Sequence, residues 1–296
     1  MVATAAAVTS VMSGMVLGAA SAQADPGCPG LYVVAVPGTW ETSDKPDKRP
    51  VPGMLSFVTR GLPSSVKTDY VGYAATAFPW EGDVYGKSKK EATDNARGLM
   101  KAMAQRCGGT RIALLGYSQG ADAAGDLAAE IGTGTSVILP NRLAAVGLLS
   151  DPRRSPTDAL VGPAVAGAGA GGPRIGGFGL ASPQTRTICA RGDLYCSAAS
   201  DDFVTRFAGF LAQISDPNPA NFARYQQEAG SILGDLMAGG GFGTLGNQFT
   251  DPAIADRQNK LKQFYGSRVH TNYPSYYVAP GQTATGWMHN WLAGLA

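Results

Sequence analysis

The sequence predicts an α/β protein built on a doubly wound, mainly parallel sheet. Two observations carry that expectation. Unbroken apolar runs of strand length, at 31–36, 112–115 and 143–149, alternate with segments whose apolar residues recur at helical spacing. The run at 112–115 also passes straight into Gly116-Tyr117-Ser118-Gln119-Gly120, a strand-to-helix turn and not a hairpin. A buried strand, a helix and another buried strand make the repeating unit of a parallel sheet.

The elements follow in order. The first 24 residues carry no charge and end in Ala22-Gln23-Ala24, just before the first charge, Asp25. An apolar run closed by a small-x-small site is expected to be a secretory signal peptide, although no Lys or Arg precedes it. The rival is a membrane or buried helix, but Ala/Ser/Thr-rich segments insert poorly. Leu31 to Val36 reads as a strand broken by Pro37-Gly38-Thr39, and a second strand is expected at about 66–73. Ser88 and Glu91 form an S-x-x-E capping box opening a helix over 88–106, with Ala92, Ala96, Leu99, Met100 and Met103 on its apolar face. The charges between 81 and 97 are expected on a solvated face. A small-residue helix at about 119–131 follows the Gly116–Gly120 turn. The 143–149 strand ends at Asp151-Pro152, and a short strand is expected at 185–190.

Residues 162–179 hold eight glycines and are expected to form a surface loop. Residues 200–266 read as helical, with Phe203, Val204, Phe207, Phe210, Leu211 and Ile214 on one face. Further helix starts are marked by Asn218-Pro219 and Asp251-Pro252. The expected organisation is a signal peptide over 1–24 and one domain over 25–296, with a helical insertion at about 200–266.

Composition narrows the function. The 24 Lys+Arg against 22 Asp+Glu leave a net charge of +2, which argues against nucleic acid as a main partner. Charged residues are 16% of the chain, against roughly 25% for an average soluble domain, while 44% are hydrophobic. That is ample apolar surface for a core. Four cysteines, Cys28, Cys107, Cys189 and Cys196, suit two disulfides in an exported chain. Cys189 and Cys196 are seven positions apart around a Gly-Asp turn, so the simplest pairing is 189–196 with 28–107. Zinc is the rival, but the chain has two histidines and no C-x-x-C pair.

The chemistry centres on G-x-S-x-G at 116–120. Such a turn must be so sharp that the serine backbone is strained and flanking side chains would clash. It lifts the Ser118 hydroxyl above the sheet and aims the Gln119 amide at the same point. A serine needs a base, and only His270 and His289 exist. His270, in an irregular segment, is favoured over His289, which sits in an aromatic helix. The acid candidates are Asp193, inside the Cys189–Cys196 loop, and Asp151, at a strand end; Asp193 is favoured. A second oxyanion donor is expected in residues 37–41, with Thr39 best placed through its N–H and its hydroxyl. Two G-x-G-x-x-G matches, at 167–172 and 241–246, follow no strand and are read as chance.

The chain resembles the cutinase family of secreted serine esterases. The resemblance rests on Cys28 before the first strand, Gly-Tyr-Ser-Gln-Gly at 116–120, Cys-x-x-Gly-Asp-x-x-Cys at 189–196, and His270-x-x-Tyr273. It implies an α/β-hydrolase fold with Ser118, Asp193 and His270 as nucleophile, acid and base. Thr39 and Gln119 would form the oxyanion hole, and neither cofactor nor metal would be needed. One departure stands out: the aspartate and histidine are 77 positions apart, whereas compact cutinases hold them close. The Phe- and Leu-rich helices between them would emerge beside the site, covering it, widening a lipid groove or merely packing on the body. In this the chain is similar to the actinobacterial cutinase-like enzymes that hydrolyse trehalose dimycolate. The expected protein is a monomer, secreted or in the cell envelope, that takes a lipid or glycolipid ester and contacts envelope lipid peripherally. The alternatives are a carboxylesterase or polyester cutinase for shorter acyl chains, acyl transfer to a second sugar, and a non-catalytic lipid-binding envelope protein.

Overall fold

The computed structural model describes residues 27–296 except 46–50, 218, 220 and 221; the expected signal peptide lies outside the described residues. Five parallel strands form the central sheet: β1 (Leu31–Val36), β2 (Val66–Tyr70), β3 (Arg111–Tyr117), β4 (Leu143–Leu149) and β5 (Thr185–Ile188). Their order is β2-β1-β3-β4-β5. The apolar runs are continuous because both faces of these strands are covered. Tyr32, Val34, Val36, Ile112, Leu114, Val146 and Leu148 face one core. Leu31, Val33, Ala35, Ala113, Leu115, Ala145 and Leu149 face the other.

The first face is closed by α2 (Tyr85–Arg106) and α3 (Gln119–Gly132), through small residues such as Ala92, Ala96, Ala121 and Ala124. The second is closed by α1 (Ser56–Thr59) and α8 (Ala284–Ala293), with Val58, Met288 and Leu292. A hairpin of β6 (Tyr277–Ala279) and β7 (Gln282–Thr283) precedes α8. No described helix is long and apolar enough to cross a membrane.

Register decides where chemistry can sit. Val36 lies opposite Gly116, Tyr117 opposite Leu149, and Leu149 opposite Ile188. The carboxyl ends of four strands therefore line up, and the segments leaving them meet along one edge. The strand order reverses between β1 and β3, and that switch point is where open parallel sheets form their crevice.

Among the described residues between β5 and His270 there are four α-helices, against three expected: α4 (Phe203–Gln213), α5 (Phe222–Ala238), α6 (Gly241–Asn247) and α7 (Asp251–Ser267). They share a small core of Phe203, Ile232 and Leu236, flanked by Phe207, Phe210 and Leu245. Leu211 is left exposed and is no part of it. The attachment of these helices to the body is strongly polar. The Gln213 amide donates to Asp122 at 2.5 Å and accepts from Lys89 at 2.5 Å, and Glu228 pairs with Arg153.

Other expectations need correction. β2 and β5 stop three and two residues early. The helix expected at 88 begins at Tyr85, and the capping box is absent. Ser88 is buried and accepts from the Thr76 N–H at 3.1 Å, while Glu91 accepts from the Ala74 N–H at 2.9 Å. The two residues that looked like a cap instead fasten the segment after β2. Lys89, expected on a solvated face, is buried against Asp126 at 2.9 Å. The glycine-rich 162–179 stretch is irregular as expected, yet it delivers a buried Arg174 to Asp151, Asp122 and Asp126.

Candidate active site

The turn after β3 shows why its glycines are there. A Cβ at Gly116 would lie 2.4 Å from the Gly120 carbonyl oxygen, and one at Gly120 would lie 2.1 Å from that of Val36. Between them Ser118 adopts φ 56° and ψ −124°, a conformation that side-chain-bearing residues rarely hold. Its N–H donates to the Leu149 carbonyl at 3.0 Å, and its carbonyl accepts from Ala121 and Asp122 at 2.9 and 3.1 Å. Gln119 opens α3, so its N–H has no acceptor within the helix.

His270 follows α7 in a short 3-10 turn, Val269–Thr271, entered through Arg268 at φ 55°. Its Nε2 lies 3.0 Å from Ser118 Oγ and its Nδ1 lies 3.0 Å from Asp193 Oδ2. Tyr117 and Tyr195 flank the imidazole, with ring centroids 5.2 and 4.5 Å away. The Tyr117 hydroxyl also donates to the His270 carbonyl at 2.8 Å, so side chain and backbone are both held.

Asp193 is fully buried in the loop closed by the Cys189–Cys196 disulfide; the second bridge joins Cys28 and Cys107, the pairing expected. Besides His270, its Oδ2 accepts from the Ser150 hydroxyl at 2.6 Å and the Tyr273 hydroxyl at 2.8 Å. Its Oδ1 accepts from the Tyr195 N–H at 3.1 Å. Burial, with Asp193 beside it, pushes the Tyr273 phenol well above its usual range, which keeps it an O–H donor. Ser150 is a neighbour of Asp193 that the sequence reading does not single out, and Tyr273 enters that reading only within the His270-x-x-Tyr273 match, with no role. The signal for Ser150 is its place directly after β4, one residue before Asp151.

The two rejected candidates have other work. Asp151 is fully buried and accepts from both terminal nitrogens of Arg174, at 2.5 and 3.2 Å, and from the Arg153 N–H at 2.9 Å. His289 Nδ1 donates to the Val58 carbonyl at 2.8 Å, which ties α8 to α1.

Thr39 stands at the open end of β1 beside the serine turn. Its hydroxyl donates to the Gln119 side-chain oxygen at 3.4 Å, so its backbone N–H is the group left to meet a ligand. The loop is anchored on both sides of it. The Gly38 N–H donates to Glu41 at 2.9 Å, and the Trp40 N–H donates to the Ala75 carbonyl at 2.9 Å. Burial pushes the Glu41 carboxyl up, opposed by the amides of Gly38 and Met54 that it accepts.

The Cutinase family profile matches residues 27–220, more than half of the chain. The chain belongs to the cutinase family. The relatives that it matches are named as carboxylesterases. A carboxylesterase Culp6 homolog from Corynebacterium glutamicum is 31% identical over 206 residues, 58% of this chain and 66% of that one. Carboxylesterase Culp1 of Mycobacterium tuberculosis is 31% identical over 187 residues, 62% of this chain and 76% of its own. The match thus spans just under two-thirds of the first relative's length. The catalytic core domain of acetyl xylan esterase from Trichoderma reesei superposes with a TM-score of 0.47 at 21% identity, over 62% of this chain and 92% of that one. The cutinase match ends before α5, so most of the helical insertion and the His270 segment lie beyond it.

Proposed function

We propose that this cutinase-family protein is an exported serine esterase acting on long-chain acyl esters of cell-envelope glycolipids, trehalose dimycolate among them. The single observation that carries the esterase reading is the Ser118–His270–Asp193 chain, with both links at 3.0 Å on a strained turn. His270 Nε2 takes the Ser118 proton as Oγ attacks the ester carbonyl. The oxyanion that forms is met by the Gln119 and Thr39 N–H groups. Protonated His270 then donates to the departing sugar hydroxyl, leaving an acyl-enzyme. Water, deprotonated by the same histidine, releases the fatty acid and restores Ser118. Asp193 holds the imidazole in the tautomer that presents a bare Nε2 and stabilises its protonated form.

The substrate reading rests on the insertion between Asp193 and His270. It leaves Leu211, Phe222, Met237, Phe242 and, between α6 and α7, Phe249 exposed, and α7 ends with Phe264 and Tyr265 against Tyr195, beside the His270 imidazole. Export is supported by the apolar 1–24 segment and by two disulfides, which persist in oxidising compartments.

The test is turnover by residues 25–296 across esters from short p-nitrophenyl acylates to trehalose diesters of long branched acids. Preference for the glycolipids is expected. Preference for short chains would make the protein a general carboxylesterase and reduce the insertion to packing. No turnover at all would leave a lipid-binding protein.

The short disulfide has its own expected result. Closing a seven-residue separation contributes only about 2 kcal/mol by chain entropy, yet the bridge fixes the loop carrying Asp193. Replacing Cys189 and Cys196 by Ser should lower kcat by about 100-fold, because small displacements of a catalytic group are costly. The thermal midpoint should fall by only a few degrees. A stability loss that accounts for the whole activity loss would contradict a placement role.

A further inference from the structure

Beside the oxyanion loop lies a group of aromatic rings that the mechanism does not use. Trp40, Phe78 and Trp80 are 69%, 40% and 79% exposed. They are nonetheless fixed. Phe78 and Trp80 stack with centroids 4.6 Å apart and planes 4° from parallel. Trp40 sits at φ 64°, an outlier for so bulky a residue, and its indole N–H donates to Glu81 at 2.6 Å. Glu81 also accepts from the Ala77 and Phe78 N–H groups at 2.8 and 2.9 Å, and those amides hold its carboxyl below the usual range. One carboxylate therefore ties the Trp40 indole to the backbone of the segment that carries Phe78 and Trp80.

The platform is joined to both candidate oxyanion residues. Trp40 follows Thr39 directly, and the segment carrying Phe78 is held through the Thr76 carbonyl, which accepts from the Gln119 side chain at 2.9 Å. Rings pinned in the open, with strain at Trp40, beside the candidate oxyanion loop are a surface made to be covered.

The surroundings say by what. The same segment continues to Asp83, which lines a cleft of about 560 Å3 with the acids Asp44, Glu91, Asp94 and Asp216, the lysines Lys87 and Lys90, and Asn95. Carboxylates, an amide and two ammonium groups, Lys87 paired with Asp83 and Lys90 with Asp94, are partners for hydroxyl groups. An anionic lipid surface would be repelled by the same acids, and seating them among acyl chains would be costly. A sugar ring fits both halves, since its C–H face packs flat on an indole while its hydroxyls reach the polar cleft.

We propose that Trp40, Phe78 and Trp80 with the adjoining cleft form the subsite for the sugar portion of the ester substrate. The inference deepens the esterase reading above by placing the alcohol half of that ester on the β1 side of Ser118.

The test has a binding arm and a turnover arm. In the Ser118→Ala protein, saturation-transfer NMR with α,α-trehalose should show contact from the sugar ring protons, and Trp80→Ala in that background should remove it. In the active protein, Trp80→Ala should lower the kcat/KM ratio of a trehalose diester to a p-nitrophenyl ester of the same acid by about tenfold, mostly through KM. Absence of sugar contact in the Ser118→Ala protein would overturn the proposal, as would an unchanged ratio. Loss of binding to anionic phospholipid vesicles in Trp80→Ala, with the ratio unchanged, would make the platform a lipid contact instead. The binding arm needs no turnover. Sugar contact without hydrolysis would therefore sink the esterase reading alone, and hydrolysis without sugar contact would sink the subsite alone.

Discussion

Ser118→Ala is expected to lower kcat/KM by about 10^6-fold on every ester the protein accepts, since a triad without its nucleophile retains only what binding and oxyanion stabilisation supply. The fold should survive. The Ser118 hydroxyl touches His270 Nε2 at 3.0 Å, while the turn itself is held by backbone bonds and by the close approach of Gly116 and Gly120. The thermal midpoint should stay within a few degrees of the parent. Turnover on p-nitrophenyl esters and a melting curve on the same preparation check both halves. Retained turnover by a folded Ser118→Ala protein would exclude the covalent mechanism.

Asp193→Asn carries the second largest expected effect, about 10^4-fold in kcat, because an amide cannot hold the imidazole in the required tautomer. Stability should fall as well. Asp193 is surrounded by donors, namely His270 Nδ1–H and the Ser150 and Tyr273 hydroxyls at Oδ2, and the Tyr195 N–H at Oδ1. Either orientation of an Asn amide sets its NH2 against one of those groups, a cost of about 1–3 kcal/mol for the unsatisfied donors. Asp151→Asn should do the reverse. It removes one of the three carboxylates around the buried Arg174 and leaves Asp122 and Asp126, a loss of about 1–3 kcal/mol, while turnover per folded molecule stays near the parent value. Activity profiles and denaturant melts of the two variants separate the roles; a dead Asp151→Asn beside an active Asp193→Asn would reassign the acid.

The contrast between these aspartates also shows how far the sequence can be read. β1 and β4 are legible residue for residue, because a strand buried on both faces is written as an unbroken apolar run. The serine turn is legible because its glycines answer to local sterics. Ser88 and Glu91 mislead for the opposite reason: an S-x-x-E pattern describes a local cap, yet both side chains are taken by amides 12 and 17 positions away. The links from Asp193 to Ser150 and Tyr273 span 43 and 80 positions. No spacing rule encodes such contacts; the register brings the ends of β4 and β5 side by side, and the turn after His270 lays Tyr273 against Asp193. Arg174 is hidden in the same way, as a lone charge in a glycine-rich stretch whose partners come from α3 and the end of β4.

The central claim is that Ser118 is an activated nucleophile. Its most direct test is reaction of the intact protein with a fluorophosphonate, read as intact mass and then as the labelled peptide. One phosphonyl group per chain on Ser118, lost when His270 is replaced by Ala, is the predicted result. An unlabelled protein, or label carried by another residue, would contradict it.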